Sequence, residues 1–279
     1  MSAHSVPILT RLYEIGKRFI LRRFPPPLLN RLKKRHYLRK LRHVSVLEEP
    51  DLGLLEVFVG PGDCVVDIGA NIGVYTLFLS RLVSQSGRVY SFEPVAPTFD
   101  FLAYNVRKLD LKNVLAKRVA ITDCVCKVSM VVPKGADGVD NFYQAAIVEN
   151  NQENAAKLSD LIDGIPLDLA LAEDIKRIKF IKCDVEGHEL HCLHGAPNVI
   201  LHSRPAWLME VGGDGEELGS NANNVFAFMR ESGYHIWVYD QGRLRPRMPG
   251  MKSVNYVFMT DEHIRHLRDK NLLAGQIDF

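Results

Sequence analysis

The sequence predicts a doubly wound α/β domain, a mostly parallel sheet with helices on both faces, behind a basic helical extension. Three observations carry that expectation. From Val65 onward, short β-branched runs alternate with stretches of helical period. The first such pair is joined through glycines, in Val65-Val66-Asp67-Ile68-Gly69-Ala70-Asn71-Ile72-Gly73. Charge is divided unevenly: residues 1–43 hold twelve Lys or Arg against Glu14 alone, a net of +11. The whole chain of 279 residues carries +2, which leaves −9 on residues 44–279. The expected division is an amphipathic basic extension over residues 1–50 and one domain over 51–279.

In the head, Ile8, Leu9, Leu12, Ile15, Phe19 and Ile20 recur at helical spacing until Pro25-Pro26-Pro27 stops the pattern. Leu28, Leu29, Leu32, Leu38 and Leu41 resume it on a second, more basic helix. Such a head reads as a cap packed on the domain, or as an interfacial helix pair on an anionic membrane. It carries no recognisable nucleic-acid-binding motif, which makes nucleic acid the weaker partner. Strands are expected over residues 65–68, 88–92, 114–121, 178–183 and 206–211, with an added strand over 127–132. Helices are expected over 74–83, 99–108, from 189 to about 195, and over 222–232. Two more strands (235–239 and 254–259) and an amphipathic helix from 261 to about 273 complete the tail. Residues 134–158 show no clean period, and a long irregular stretch inside a domain is usually functional.

The glycine turn lies at the carboxyl end of the first strand, and Glu93 lies at the carboxyl end of the second. Ligands bind at such strand ends in doubly wound sheets. A glycine loop beside a carboxylate able to hold two ribose hydroxyls is a nucleoside site. A pyrophosphate-binding turn would read G-x-G-x-x-G; here the spacing is Gly69-x-x-x-Gly73, with Asp67 in the strand end. S-adenosylmethionine has a sulfonium, an ammonium and a ribose but no phosphate, so it tolerates such acids.

With the second half added, the residues resemble a family. DIGANIGVYT, SFEP, Asn105 after them, and KCDVEGHE with HGAP downstream are similar to the FkbM-type S-adenosylmethionine-dependent methyltransferases. The resemblance covers residues 54–211. It implies the Rossmann-like class I methyltransferase fold, a seven-stranded sheet whose last strand is antiparallel. It also implies O-methylation, commonly of hydroxyls on sugars, glycolipids or polyketide-type products. By that resemblance Asp67, Gly69, Ala70, Asn71 and Gly73 form the methionine and ribose side, and Glu93 holds the ribose. Ala120 and Asp123 fall where the adenine rests.

Asp184, Glu186, His188 and Glu210 stand at the carboxyl ends of the fourth and fifth strands and are the catalytic candidates. Asp184 or His188 is the expected general base toward an acceptor hydroxyl. Asp184, Glu186 and Glu210 could also hold a divalent cation of magnesium type, since hard oxygen ligands suit it. The plain alternative makes Glu186 a helix cap and Glu210 part of a buried pair. His188, His191 and His194 recur every third residue, rotating by about 60° each step, so they are not expected to share a metal.

The expected acceptor is a sugar, glycan or glycolipid hydroxyl. Two alternatives stand beside it: a polyketide-type metabolite, and an idle cofactor-binding scaffold with a membrane- or RNA-binding head. Five cysteines without framework spacing fit a reducing compartment. Cys124-Val125-Cys126 lacks a second Cys/His pair to complete a zinc site. No apolar run reaches the roughly eighteen residues that span a bilayer, and the N-terminus lacks a secretory core. The expected location is cytoplasmic, with peripheral contact to the inner membrane face through residues 1–43. Oligomeric state is not legible.

Overall fold

The computed structural model describes residues 25–131, 146–148, 161–240, 242–270 and 272–274. The expected helix over residues 8–20 and most of the 134–158 stretch lie outside them. The described chain opens with α1 (Pro26–His43). Its proline sits in the first turn, where no N–H is missed, and Lys40, Arg42 and His43 lie at the negative helix end. A short α2 (Leu52–Phe58) precedes β1 (Cys64–Ile68), α3 (Val74–Val83), β2 (Arg88–Phe92) and α4 (Ala96–Lys108). Five strands follow: β3 (Val114–Lys117), β4 (Ala120–Ile121), β5 (Cys126–Val131), β6 (Ala146–Val148) and β7 (Ile162–Ile165). Next come α5 (Leu167–Leu171), a 3-10 turn (Ala172–Arg177), β8 (Ile178–Cys183), α6 (Glu189–His194), α7 (Pro197–His202) and β9 (Ala206–Glu210). The tail is α8 (Asn221–Glu231), β10 (His235–Asp240), β11 (Arg243–Pro246), β12 (Asn255–Met259) and α9 (Asp261–Asp269).

The main sheet has the order β11-β10-β12-β9-β8-β1-β2-β3. β3, β2, β1, β8 and β9 run parallel, and β12 is antiparallel to both β9 and β10. Strand order reverses at β1, which lies between β2 and β8, so the ligand crevice is expected there. This is the class I methyltransferase arrangement.

All five residues of β1 are buried, as are the last four of β8. A strand covered on both faces needs apolar side chains in both directions, which is why these runs do not alternate. One face of the sheet packs Trp207, Phe226 and Phe258; the other packs Leu54, Leu55, Phe180 and Trp237. Each such side chain fully withdrawn from water contributes about 1.5–3 kcal/mol. Helix α1 packs on α4, where the Tyr37 ring meets Phe101 edge-on at 4.9 Å.

The structure corrects the expected strand count. There are eight strands in the main sheet rather than seven, because β11 folds back on β10 after Gly242, whose φ is +80°. Only Leu244 is buried in that strand, so its sequence gives no apolar run. Residues 272–274 then run along β11: Leu244 N donates to Leu272 O at 3.1 Å, and Ala274 N donates to Leu244 O at 2.8 Å. The expected third strand over 114–121 is divided. Its first half stays in the main sheet, while Ala120–Ile121 crosses to a second sheet of order β4-β7-β5-β6. The helix expected over 99–108 begins earlier, at Ala96, and ends at Lys108 as expected. Among the described residues, no helix is long and apolar enough to cross a membrane.

Candidate active site

At the end of β1 the chain reverses so tightly that Gly69 takes φ +76°. A Cβ there would lie 1.8 Å from the carbonyl oxygen of Asp184, so two loops from different strands touch backbone to backbone. Asp184 N donates to Ile68 O at 3.0 Å and fixes that contact. Gly69 N and Ala70 N both donate to Phe92 O, at 2.9 and 3.0 Å. Asn71, also at positive φ, donates its N–H to Glu93 Oε2 at 2.9 Å. Val95 N donates to the other oxygen at 2.8 Å. Asn105 Nδ2 donates to Ile72 O at 2.9 Å from the back of the loop. The glycine loop is therefore held from β2, α4 and Glu93 before any ligand arrives.

The result is a cleft of about 570 Å³, mouth included. Gly69, Asn71 and Glu93 line it beside an apolar floor of Ala120, Ile121, Met130 and Ile147, and Asp184, Val185 and Glu186 complete the lining. The floor belongs largely to the second sheet, through β4, β5 and β6. Glu93 is 5% exposed, and burial raises its pKa to about 7 against the two N–H bonds that lower it. Its carboxylate keeps lone pairs beyond those two bonds, and the residue lines the cleft.

Of the residues expected around the cofactor, Gly69, Asn71, Glu93 and Ala120 line this cleft. Asp67, Ala70 and Gly73 stand behind it. The Asp67 carboxylate is buried and accepts a hydrogen bond from Thr76 Oγ1 at 2.5 Å; Thr76 lies 2.9 Å from Ser91 Oγ. Burial lifts Asp67 to about 6. Its task is to tie the start of α3 to β1 and β2. Asp123 is not part of the cleft wall: it is exposed, and its carboxylate lies 2.9 Å from His191 Nδ1.

Three of the four catalytic candidates meet. One oxygen each from Asp184, Glu186 and Glu210 can be chosen so that all lie within 4.8 Å of one another. Burial, and then the neighbouring Asp184, raise the pKa of Glu186 and Glu210. His188 does not join them. Its ring stacks on His191 at 4.3 Å, its Nε2 lies 3.0 Å from Thr122 Oγ1, and burial lowers its pKa to about 4. His194 turns instead to Phe228, at 5.2 Å, so the three histidines do not converge. Glu186 does not cap α6 either. That helix has no side-chain cap; Glu189, its first residue, accepts from Gly187 N at 2.8 Å and from Asn221 Nδ2 at 2.6 Å and so fixes the turn before it.

One site residue escapes the sequence reading. Lys182 on β8 is 2% exposed, and its Nζ lies 3.3 Å from Asp184 Oδ2 and 5.0 Å from the centre of the Tyr75 ring. A buried ammonium needs a partner of this kind. Its signal in the sequence was a lysine inside the apolar run Ile178-Lys179-Phe180-Ile181-Lys182-Cys183.

The pattern of the FkbM methyltransferase domain matches residues 67–236, more than half of the chain. The chain belongs to the FkbM methyltransferase family. Within that range fall the glycine loop, Glu93, Lys182 and all three clustered carboxylates. Methyltransferase 1 of Beauveria bassiana (strain ARSEF 2860) is 26% identical over 150 residues, 47% of this chain and 57% of that protein. Methyltransferase sdnD of Sordaria araneosa is 26% identical over 154 residues, 47% of this chain and 59% of that protein. The FkbM chain thus spans under two thirds of the length of these relatives. Among solved structures, a SAM-dependent methyltransferase from Aquifex aeolicus aligns with 79% of this chain and 95% of its own, at 17% identity and TM-score 0.41. Aeropyrum pernix fibrillarin, solved with S-adenosyl-L-methionine, aligns with 75% of this chain and 73% of its own, at 12% identity and TM-score 0.40.

Proposed function

We propose that this protein is an O-methyltransferase that uses S-adenosylmethionine to methylate a hydroxyl of a sugar, glycan or glycolipid. The observation that carries the reading is one cleft lined by Glu93 and by Asp184 and Glu186, with Glu210 clustered against the latter two. Its fit to the cofactor rests on three features. Glu93 retains acceptor capacity toward two ribose hydroxyls, the floor of Ala120, Ile121, Met130 and Ile147 suits an adenine face, and no Cβ stands at Gly69. The cofactor would supply a methyl group on a positively charged sulfur.

The protein then has two tasks, to aim the acceptor oxygen and to take its proton. Asp184 is the base in this reading, with Lys182 beside it as counter-charge and Glu186 and Glu210 as acceptors for neighbouring hydroxyls. A polyhydroxyl acceptor matches three clustered carboxylates better than an apolar one. The same three groups form a donor set for a magnesium-type cation, which would acidify the hydroxyl in place of a free base. Five cysteines without framework spacing support a reducing, cytoplasmic setting for the reaction.

Asp184→Asn is expected to cut turnover by at least about a hundredfold while cofactor affinity, measured by calorimetry, stays within about threefold. A near-native rate on a glycan hydroxyl acceptor would sink the assignment. Chelation by EDTA separates the two roles, since activity is lost only if the carboxylates work through a metal.

A further inference from the structure

Helix α1 shows two faces of different character. Its inner face is spent on the domain. Leu41 is 1% exposed, the Tyr37 ring sits on Phe101, and Lys34 Nζ lies 2.6 Å from Asp100 and over the Tyr104 ring. The outer face carries Arg31, Lys33, Arg35, Arg39, Lys40 and Arg42, all exposed, and the helix contains no acid at all. Leu28 and Leu32, one turn apart, are 40% and 44% exposed among those charges. A helix needed only as a cap would have its leucines inside and could balance its outer charges with acids.

We propose that the outer face of α1 docks the protein on an anionic lipid surface, with Leu28 and Leu32 entering the headgroup layer and the Lys and Arg side chains meeting lipid phosphates. Charge complementarity selects an anionic partner. The two leucines select lipid over nucleic acid, because an exposed leucine gains only from a partner with apolar depth, whereas a polynucleotide asks for charge and aromatic stacking. Residues 44–279, at −9, are repelled by the same surface, so binding through α1 also orients the molecule.

That orientation bears on the site. His36, Arg39, Lys40 and His43 border an open hollow also lined by Glu48, Glu49 and Val74, the first residue of α3. The next residue is Tyr75, whose ring holds Lys182 beside Asp184. The docking face and the clustered carboxylates are thus linked through the start of one helix. The proposal does not depend on the identity of the methyl acceptor.

The test is co-sedimentation of the full chain with phosphatidylcholine vesicles, with and without phosphatidylglycerol. Sedimentation is expected with the anionic vesicles alone, and high salt should reverse it because exposed charges are screened over about 8 Å at physiological ionic strength. Replacing the six outer Lys and Arg by Gln should lower partitioning more than roughly a hundredfold. Leu28→Ser with Leu32→Ser, which leaves every charge in place, should lower it about tenfold. Cofactor binding should survive in both variants and serves as the check that they fold. Failure to bind anionic vesicles at low salt overturns the proposal, as does equal binding to neutral ones. An unchanged leucine variant combined with tighter binding to polyuridylate than to vesicles also overturns it, and makes the face a nucleic-acid surface.

Discussion

Glu93 holds the glycine loop through Asn71 and the following turn through Val95, and it faces the cleft with the same carboxylate. Its burial has a consequence for pH. Glu93 and Asp67 keep protons in the fold up to about 7 and about 6, whereas the unfolded chain gives them up near 4.5 and 3.8. The stability these two contribute is complete below the unfolded values and is lost as pH rises through 6 and 7. Cofactor binding runs the other way, because ribose hydroxyls donate to the ionised carboxylate. Affinity for S-adenosylmethionine is therefore expected to rise about tenfold from pH 6 to pH 8, and Glu93→Gln should abolish that rise. A flat affinity profile for the native protein would refute the role.

The residues that sequence reading located best, Gly69, Glu93 and Asp184, each follow the last residue of an apolar run, where a polar or glycine residue is conspicuous. Lys182 sits inside such a run, three positions after Lys179, and reads as one more solvent-facing lysine. Its burial depends on Tyr75 from another element. Strand ends were legible for Asp123 and His188 as well, but the direction of their side chains was not. The contact between those two turns, through His191, pulls both out of the cleft.

At the scale of elements, the loop after β1 and the turn after β8 behave as one piece. Gly69→Ala would force a methyl group to within 1.8 Å of the Asp184 carbonyl oxygen and would hold alanine at positive φ. The left-handed conformation alone costs about 1–2 kcal/mol, and the collision brings the total to roughly 3 kcal/mol or more. Thermal melting should show that loss. Cofactor affinity and the position of Asp184 should suffer together, since relief requires the two loops to part. A variant that melts like the native protein would show that the loops separate freely. The buried parallel strands were legible because a run covered on both faces is apolar throughout. The second sheet was not. β4 has two residues, β7 alternates around Asp163 and Gly164, and β6 pairs with β5 across a long stretch of chain. Non-local pairing of strands this short leaves little local trace, yet β4, β5 and β6 supply the floor of the site.

Across the whole molecule, the sheet has two unlike borders. β3 ends one side, beside the cleft-bearing strands, and β11 ends the other, with β10, β12 and β9 between it and β8. An open border of this kind is a row of unmet N–H and C=O groups, able to recruit a strand from another molecule. Residues 272–274 occupy the outer side of Leu244 and are expected to guard that border against self-association. Ending the chain at residue 270 should therefore leave cofactor affinity nearly unchanged while light scattering reports aggregation that grows with concentration and with temperature. A truncated protein that stays monodisperse would show that β11 needs no guard. A segment that touches no part of the cleft would then determine how much of the protein remains in solution to use it.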